Sequence, residues 1–374
     1  MKHLLLAAAS GLIFGLITIL VAEFWLRVKL PPACALRHPL LHHTFRPNCQ
    51  TTETNQDHSV TYKYNSLGLR GQDNLPPDTD KFRILMLGDS FTEGVGVDEK
   101  SIFSTLIENQ TGAQVINAGV RKYAPLLEYL YLRDYGLAYQ PDLVILNLNI
   151  TDLIETDKYH QSIIANPSGK IVQITAPGRH FLPTEWRIFL WNNLRTYDYF
   201  QERIFPKIYI LFHAAKSGSL KNNQKAVYSD RQFNMFSLSV DPLFKEEYQQ
   251  IRAQVFSDIN EIKNLTDQQQ IPLLAVIQPA ALHTSAAEWT TLNSVFNLPL
   301  KFPDDYPVDD PYHRDLSQYL ESLNITTMDL TSIFRQNSTP SNPLFFPQDG
   351  HWNSRGHRLA ADQIADFIQI NYEL

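Results

Sequence analysis

Short apolar blocks and amphipathic stretches take turns along most of this chain, and that alternation restricts it to few folds. Phe82 to Leu87 is an apolar block ending at Gly88, Gln114 to Asn117 is a second ending at Ala118 and Gly119, and Pro141 to Leu148 is a third. Blocks of this length, bounded by turn signals, read as strands buried on both faces. Between them, Ser101 to Gln110 carries Ile102, Phe103, Leu106 and Ile107 on one helical face, and Leu126 to Gly136 reads as a helix rich in Leu and Tyr. The pattern resumes at Leu243 to Leu265, where Tyr248, Ile251, Val255, Ile259 and Ile262 recur at spacings of three and four. A strand at Ile271 to Gln278, a helix at Leu316 to Leu323, a strand at Ile325 to Leu330 and a closing amphipathic helix at Ser354 to Ile370 complete it. Such alternation argues for an α/β fold with a parallel sheet covered by helices on both faces. Ligands of these sheets bind beyond the carboxyl ends of the strands. The unusual residues fall there: Gly88-Asp89-Ser90, Gly119, and Asn149 to Asp152.

The beginning of the chain is built differently. From Leu4 to Ala22 no residue is charged, and as a helix this stretch spans roughly 28 Å, close to the thickness of a bilayer's hydrocarbon core. Glu23 interrupts the run, Phe24 to Leu26 resume it, and Trp25 beside Arg27 and Lys29 reads as an interfacial belt. A cleaved signal peptide would have a shorter apolar region followed by a small-residue cleavage site, and nothing after Ala22 offers a good one. Residues 1–30 are therefore expected to be a membrane anchor, 31–80 a proline-containing stem that packs on the domain, and 81–374 the α/β domain with an insertion at about 153–242. That insertion reads as a lid, a substrate wall, or an inserted helical pair without chemistry.

Flanking charge does not fix the topology, since Lys2 and the α-amine face Arg27, Lys29 and Arg37 across the helix. Long domains translocate largely regardless of such charges, which favours an extracytoplasmic domain. The two cysteines, Cys34 and Cys49, stand just beyond the anchor and suit a disulfide there; two free thiols facing the cytoplasm are the other reading. Two cysteines also exclude a disulfide scaffold and a four-thiolate zinc site.

With 32 Lys plus Arg against 39 Asp plus Glu, the chain carries −7 and lacks the basic excess that nucleic acid requires. Lys2, Arg27 and Lys29 against Glu23 give residues 1–30 a net +2, which leaves −9 for the rest. A domain so acidic is held at an anionic bilayer by its helix and not by surface charge.

The chemistry is carried by two distant segments. Ser90 follows a strand by two residues in Gly88-Asp89-Ser90-Phe91-Thr92-Glu93-Gly94, and Asp349-Gly350-His351 precedes the last helix. A serine hydroxyl becomes a useful nucleophile when a base within hydrogen-bond reach takes its proton, and imidazole does so at neutral pH. A carboxylate on the imidazole's other nitrogen completes such a unit. The bland reading of Ser90 is a helix cap. His351 with Asp349 and His357 is a weak metal set, because no further carboxylates cluster nearby. Gly88 to Gly96 is no phosphate loop, as no Gly-Lys-Ser/Thr follows.

These residues resemble the SGNH or GDSL hydrolases, in their membrane-anchored bacterial type. The resemblance rests on Gly88-Asp89-Ser90, Asn117-Ala118-Gly119 and Asp349-Gly350-His351-Trp352-Asn353, with Asn65 to Gly71 as lead-in, and it covers roughly residues 60 to 374 apart from 153–242. It implies a three-layer α/β/α sandwich with a flavodoxin-like sheet, and Ser90 as nucleophile, His351 as base and Asp349 as its partner. The amides of Ser90 and Gly119 would hold the oxyanion. Members usually place an Asn directly before the Asp that follows the third strand; here Thr151 precedes Asp152, so Asn149 or Thr151 is expected to supply the side-chain donor. Asp349 and His351 are two apart, where many members separate them by three. No metal or organic cofactor is implied.

The activity so implied is a serine esterase acting on O-acyl, first of all O-acetyl, esters of glycans or lipids. The Asp-x-His-Trp ending also resembles bacterial exopolysaccharide O-acetylation proteins, which makes an O-acetyltransferase with a polytopic acyl-transfer partner the second reading. A non-catalytic glycan-binding or assembly protein, motivated by Thr151, is the third.

Overall fold

The computed structural model describes residues 2–30, 34–73, 81–174, 182–204, 245–288, 290–291 and 310–373. The chain enters through helix α1 (Lys2–Lys29) and two antiparallel hairpins, β1 (Ala35–His38) with β2 (His42–Phe45) and β3 (Gln50–Thr54) with β4 (Ser59–Lys63). A disulfide between Cys34 and Cys49 links the two hairpins. There follow β5 (Arg83–Leu87), α2 (Ser90–Glu93), α3 (Phe103–Thr111), β6 (Gln114–Asn117), α4 (Pro125–Asp134), β7 (Leu143–Leu148) and α5 (Asp152–His160). The insertion contributes a small hairpin, β8 (Ile163–Ala165) with β9 (Ile171–Ile174), and helices α6 (Thr184–Asn193) and α7 (Arg195–Tyr199). Its residues 175–181 and 205–242 lie outside the described residues, as do 31–33 and 74–80 of the expected stem. The chain then gives α8 (Lys245–Gln268), β10 (Leu273–Ile277), α9 (Pro311–Ser322), β11 (Thr326–Asp329), α10 (Thr331–Asn337) and α11 (Ser354–Asn371).

Among the described residues, five parallel strands make the central sheet in the order β11-β10-β7-β5-β6. Numbered by their appearance and read from the other edge this is 2-1-3-4-5, the flavodoxin-like order, whose switch point lies between the first and third strands. The pleat sends successive side chains to opposite faces. Ile84 and Met86 of β5 enter one core with Phe103 and Ile107 of α3 and Ile364 and Ile368 of α11. Leu85 and Leu87 enter the other core with Leu127 and Leu130 of α4, Val255 and Ile259 of α8, and the two entry hairpins. Each such fully buried side chain contributes about 2 kcal/mol. The expected three-layer α/β/α sandwich is what the chain forms.

Helix α9 begins at Pro311, a full turn before the predicted Leu316. Asp310 supplies the reason, since its side chain accepts the Tyr312 N–H at 3.0 Å and Pro311 sets the first helical φ. Helix α1 is the one helix among the described residues long and apolar enough to cross a membrane, over Ala9–Lys29.

Candidate active site

Strand β5 delivers Ser90 to the carboxyl edge of the sheet. Asp89 caps the turn that follows by accepting the Phe91 N–H at 2.9 Å, and Gly94, at φ +80°, ends it after one turn in a conformation that only glycine adopts without strain. Gly119, after β6, lies so close beneath this turn that an added Cβ would stand 2.4 Å from the Glu93 nitrogen. Glycine is therefore required where β6 passes under the serine.

His351 reaches Ser90 from the loop before α11, its Nε2 2.8 Å from Ser90 Oγ. Its Nδ1 meets Asp349 Oδ1. An ionised carboxylate only accepts hydrogen bonds, so Nδ1 carries the proton and the Nε2 lone pair faces the serine O–H. Burial acts to raise the Asp349 pKa, but His351 and His58 oppose it and bring it down to about 2. The ring of Phe91 backs that of His351 at 5.0 Å between centroids. Ser90 is half-buried, open to a reactant on one side.

The groups expected around an oxyanion are placed as follows. Among the described residues the Ser90 N–H, first in its turn, makes no hydrogen bond, whereas the Gly119 N–H donates to Asn117 Oδ1 at 2.9 Å. Asn149 Nδ2 donates to Asp89 Oδ2 at 3.0 Å and keeps a second N–H. The single Thr151 proton is taken up within the same group, with Asp89 Oδ2 at 2.9 Å and Asn149 Oδ1 at 2.6 Å. Of the two expected side-chain donors, Asn149 is the one with an N–H beyond those these contacts use. Burial pushes the Asp89 carboxyl up, against the Asn149, Phe91 and Thr151 donors that favour its charge.

Two supports come from a region where the sequence suggested only a stem. At the tip of the β3–β4 hairpin, Asp57 Oδ2 accepts the backbone N–H groups of Gln348 (2.7 Å) and Asp349 (2.8 Å). Asn55 Nδ2 donates to Asp349 Oδ2 at 3.3 Å, and a ring nitrogen of His58 stands 3.4 Å from the same oxygen. Next to Ser90, Glu93 is fully buried and receives Arg121 through its backbone N–H (2.9 Å) and guanidinium (2.8 Å) and Tyr64 through its hydroxyl (3.0 Å). Burial alone would raise the Glu93 pKa; Arg121 outweighs it and lowers it. Arg121 also pairs with Glu53 of β3 at 2.9 Å, and Arg70 reaches the carbonyls of Glu93 (3.2 Å), Gly94 and Val97. The signal for these residues in the sequence was slight: acidic and basic positions in a polar region, with partners far along the chain.

Three aromatic residues near the site are core. Trp352 and Tyr123 are fully buried, bonded to the Pro279 carbonyl at 3.1 Å and the His43 carbonyl at 2.8 Å. His357 is buried between Phe103 and Trp352, and burial brings its pKa down to about 3. Among the described residues one group, His283, Asp310 and His313, has cation-ligand spacing. His283 Nδ1 accepts the Ala280 N–H at 3.2 Å, which leaves the proton on Nε2, aimed at Asp310 at 3.2 Å.

No curated protein matches the chain in sequence. Among solved structures it is similar to an acetyl xylan esterase, at 14% identity over 76% of this chain and 99% of that one, with a TM-score of 0.41. It is likewise similar to the lipase/acylhydrolase from Enterococcus faecalis, at 12% identity over 78% of this chain and 97% of that one, TM-score 0.38. Residues 246–373, with β10, β11, His351 and Asp349 among them, match the family model described as the SGNH hydrolase-like domain of acetyltransferase AlgX. By that match residues 246–373 are similar to an SGNH hydrolase-like domain, and the sheet of flavodoxin-like order that they help to build carries Gly88-Asp89-Ser90 at its carboxyl edge.

Proposed function

We propose that the protein is a membrane-anchored serine enzyme of acyl esters, with O-acetyl groups of a cell-envelope glycan as its first substrate class and acylated lipids as the second. The observation that carries this is the relay from Asp349 through His351 to Ser90, with 2.8 Å between His351 Nε2 and Ser90 Oγ. Ser90 attacks the ester carbonyl as its proton passes to His351 Nε2. The Ser90 N–H and the second N–H of Asn149 are the donors to the oxyanion, and Gly119 provides the close approach of backbone. His351 returns the proton to the departing alcohol, leaving an acyl-serine that water opens to the free acid. Asp349, ionised throughout, holds the ring in its productive tautomer.

The matched family model favours a second reading, in which a sugar hydroxyl takes the place of water and the protein is an O-acetyltransferase. A single anchor does not move acyl donors across a bilayer, so this reading includes a polytopic partner. Both readings share the acyl-enzyme and divide at its second step. The test is to supply an acetylated glycan with and without an acceptor sugar, measuring acetate release and acetyl transfer on the same sample. Acetate release that acceptor leaves unchanged supports the esterase; acetyl transfer that replaces it supports the transferase. Ser90→Ala or His351→Ala lowers kcat by up to about 10⁶ in either case, and unaltered turnover in both variants would contradict both readings.

A further inference from the structure

The end of α1 is fastened to the insertion. Glu23 directly follows the charge-free stretch, yet it is 8% exposed. Its carboxylate accepts the N–H groups of Arg195 (2.9 Å) and Thr196 (2.8 Å) and the Thr196 hydroxyl (3.0 Å), which closes the N-terminus of α7. Arg27 bonds to Glu23 at 2.7 Å and to the Asn193 carbonyl, at the end of α6, at 2.6 Å. Helix α6 is held from the domain as well, where Asn192 exchanges hydrogen bonds with the Arg37 backbone at 2.7 and 2.9 Å and the Arg37 guanidinium covers Trp191 at 4.1 Å. A carboxylate at the end of an apolar span is costly to strip of water, and here protein donors replace that water.

The insertion helices leave large apolar side chains bare. On α6, Trp186 and Phe189 stand three residues apart, the spacing of a single helical face, and are 61% and 56% exposed; Leu182, just before the helix, is exposed as well. Phe200 and Ile204 continue the exposed apolar positions beyond α7. On α1, Trp25 is 57% exposed. Exposed apolar clusters of this kind mark a surface that something covers.

We propose that α6 and the turn through Ile204 lie in the membrane interface, with Trp186 and Phe189 among the upper acyl chains, and that the lipid bilayer is the occupant of this face. Continuity argues for it: residues 23 to 27 lie within about 8 Å of the end of the charge-free stretch along the helix, so what they bond to sits at interfacial depth. Tryptophan favours that depth. The inference rests on reading α1 as the membrane anchor. It gives the insertion a role that needs no chemistry: it fixes the height and tilt at which the α/β domain rides above the lipid.

The full chain in nanodiscs made with brominated or ordinary phosphatidylcholine tests this through tryptophan fluorescence. Trp25→Phe removes the signal of the anchor's own tryptophan. The bromolipid quenching that remains should then fall by half or more when Trp186→Phe is added, a substitution at so exposed a position that it leaves the fold intact. Disc-bound protein whose residual quenching is the same with and without Trp186 would overturn the interfacial placement and leave this face to a protein partner. Protein that does not remain with the discs at all would overturn the anchor reading, and this proposal with it.

Discussion

At the residue scale, the account depends on which atoms are spent and which remain. Asp349 fixes the His351 proton on Nδ1, Asp89 takes up Thr151 and one N–H of Asn149, and Ser90 keeps its amide. Ser90, Asp349 and His351 were legible in the sequence because their order and surroundings form a motif. The disposition of Thr151 was not, because a hydroxyl's partner is decided by geometry and not by its neighbours in sequence. His357 illustrates the same limit: the sequence set it beside His351 and Asp349 only as part of a weak metal set, and the structure buries it. Its burial has a pH consequence. The unfolded ring takes up a proton near pH 6.5 and the folded ring only near 3, so between those values the unfolded state binds more protons and acid favours it. By pH 5 this one residue costs about 2 kcal/mol of stability relative to neutral pH. Urea midpoints at pH 7 and pH 5 should therefore separate less in His357→Gln than in the parent, and equal separations would contradict the assignment.

At the scale of elements, the finding with most consequence is that the β3–β4 hairpin belongs to the site. It touches the loop of Asp349 through Asn55, Asp57 and His58 and the turn of Ser90 through Glu53 and Arg121, so one hairpin positions both halves of the relay. The strands of the sheet were legible because burial on both faces writes them as continuous apolar blocks. The hairpin was not: the alternation in Gln50–Thr54 and Ser59–Lys63 is largely of polar residues, and its bonds to Gln348 and Asp349 join positions far apart in sequence. Asp57→Ala removes the acceptor for two backbone N–H groups and lets the Asp349 loop shift. We expect kcat to fall about 10- to 100-fold with KM little changed, and Asp57→Asn, which keeps an acceptor oxygen, to restore most of it. Steady-state kinetics of both variants, beside their melting temperatures, checks this. A loss of stability without a loss of kcat would reduce the hairpin to a structural part.

At the scale of the whole molecule, a disulfide joins two hairpins between an apolar helix and an acidic α/β domain. Disulfides persist in oxidising compartments, and an extracytoplasmic domain is part of the reading we propose. The Cys34–Cys49 bond closes a loop of 15 residues, and its reduction should cost about 3 kcal/mol, read as a lower denaturant midpoint with reductant present. An unchanged midpoint would mean that the hairpins hold without it. The apolar first helix was legible as an uncharged run and the alternating core as hydrophobic periodicity; the fastening of Glu23 to α7 was not, because sequence alone read the carboxylate as an interruption. Everything proposed for the site turns on the nucleophile. The most direct measurement is the intact mass of the protein after treatment with a fluorophosphonate. The account predicts a single adduct, on Ser90, abolished in Ser90→Ala and in His351→Ala; folded protein that takes up no label, or labels equally without Ser90, would contradict it.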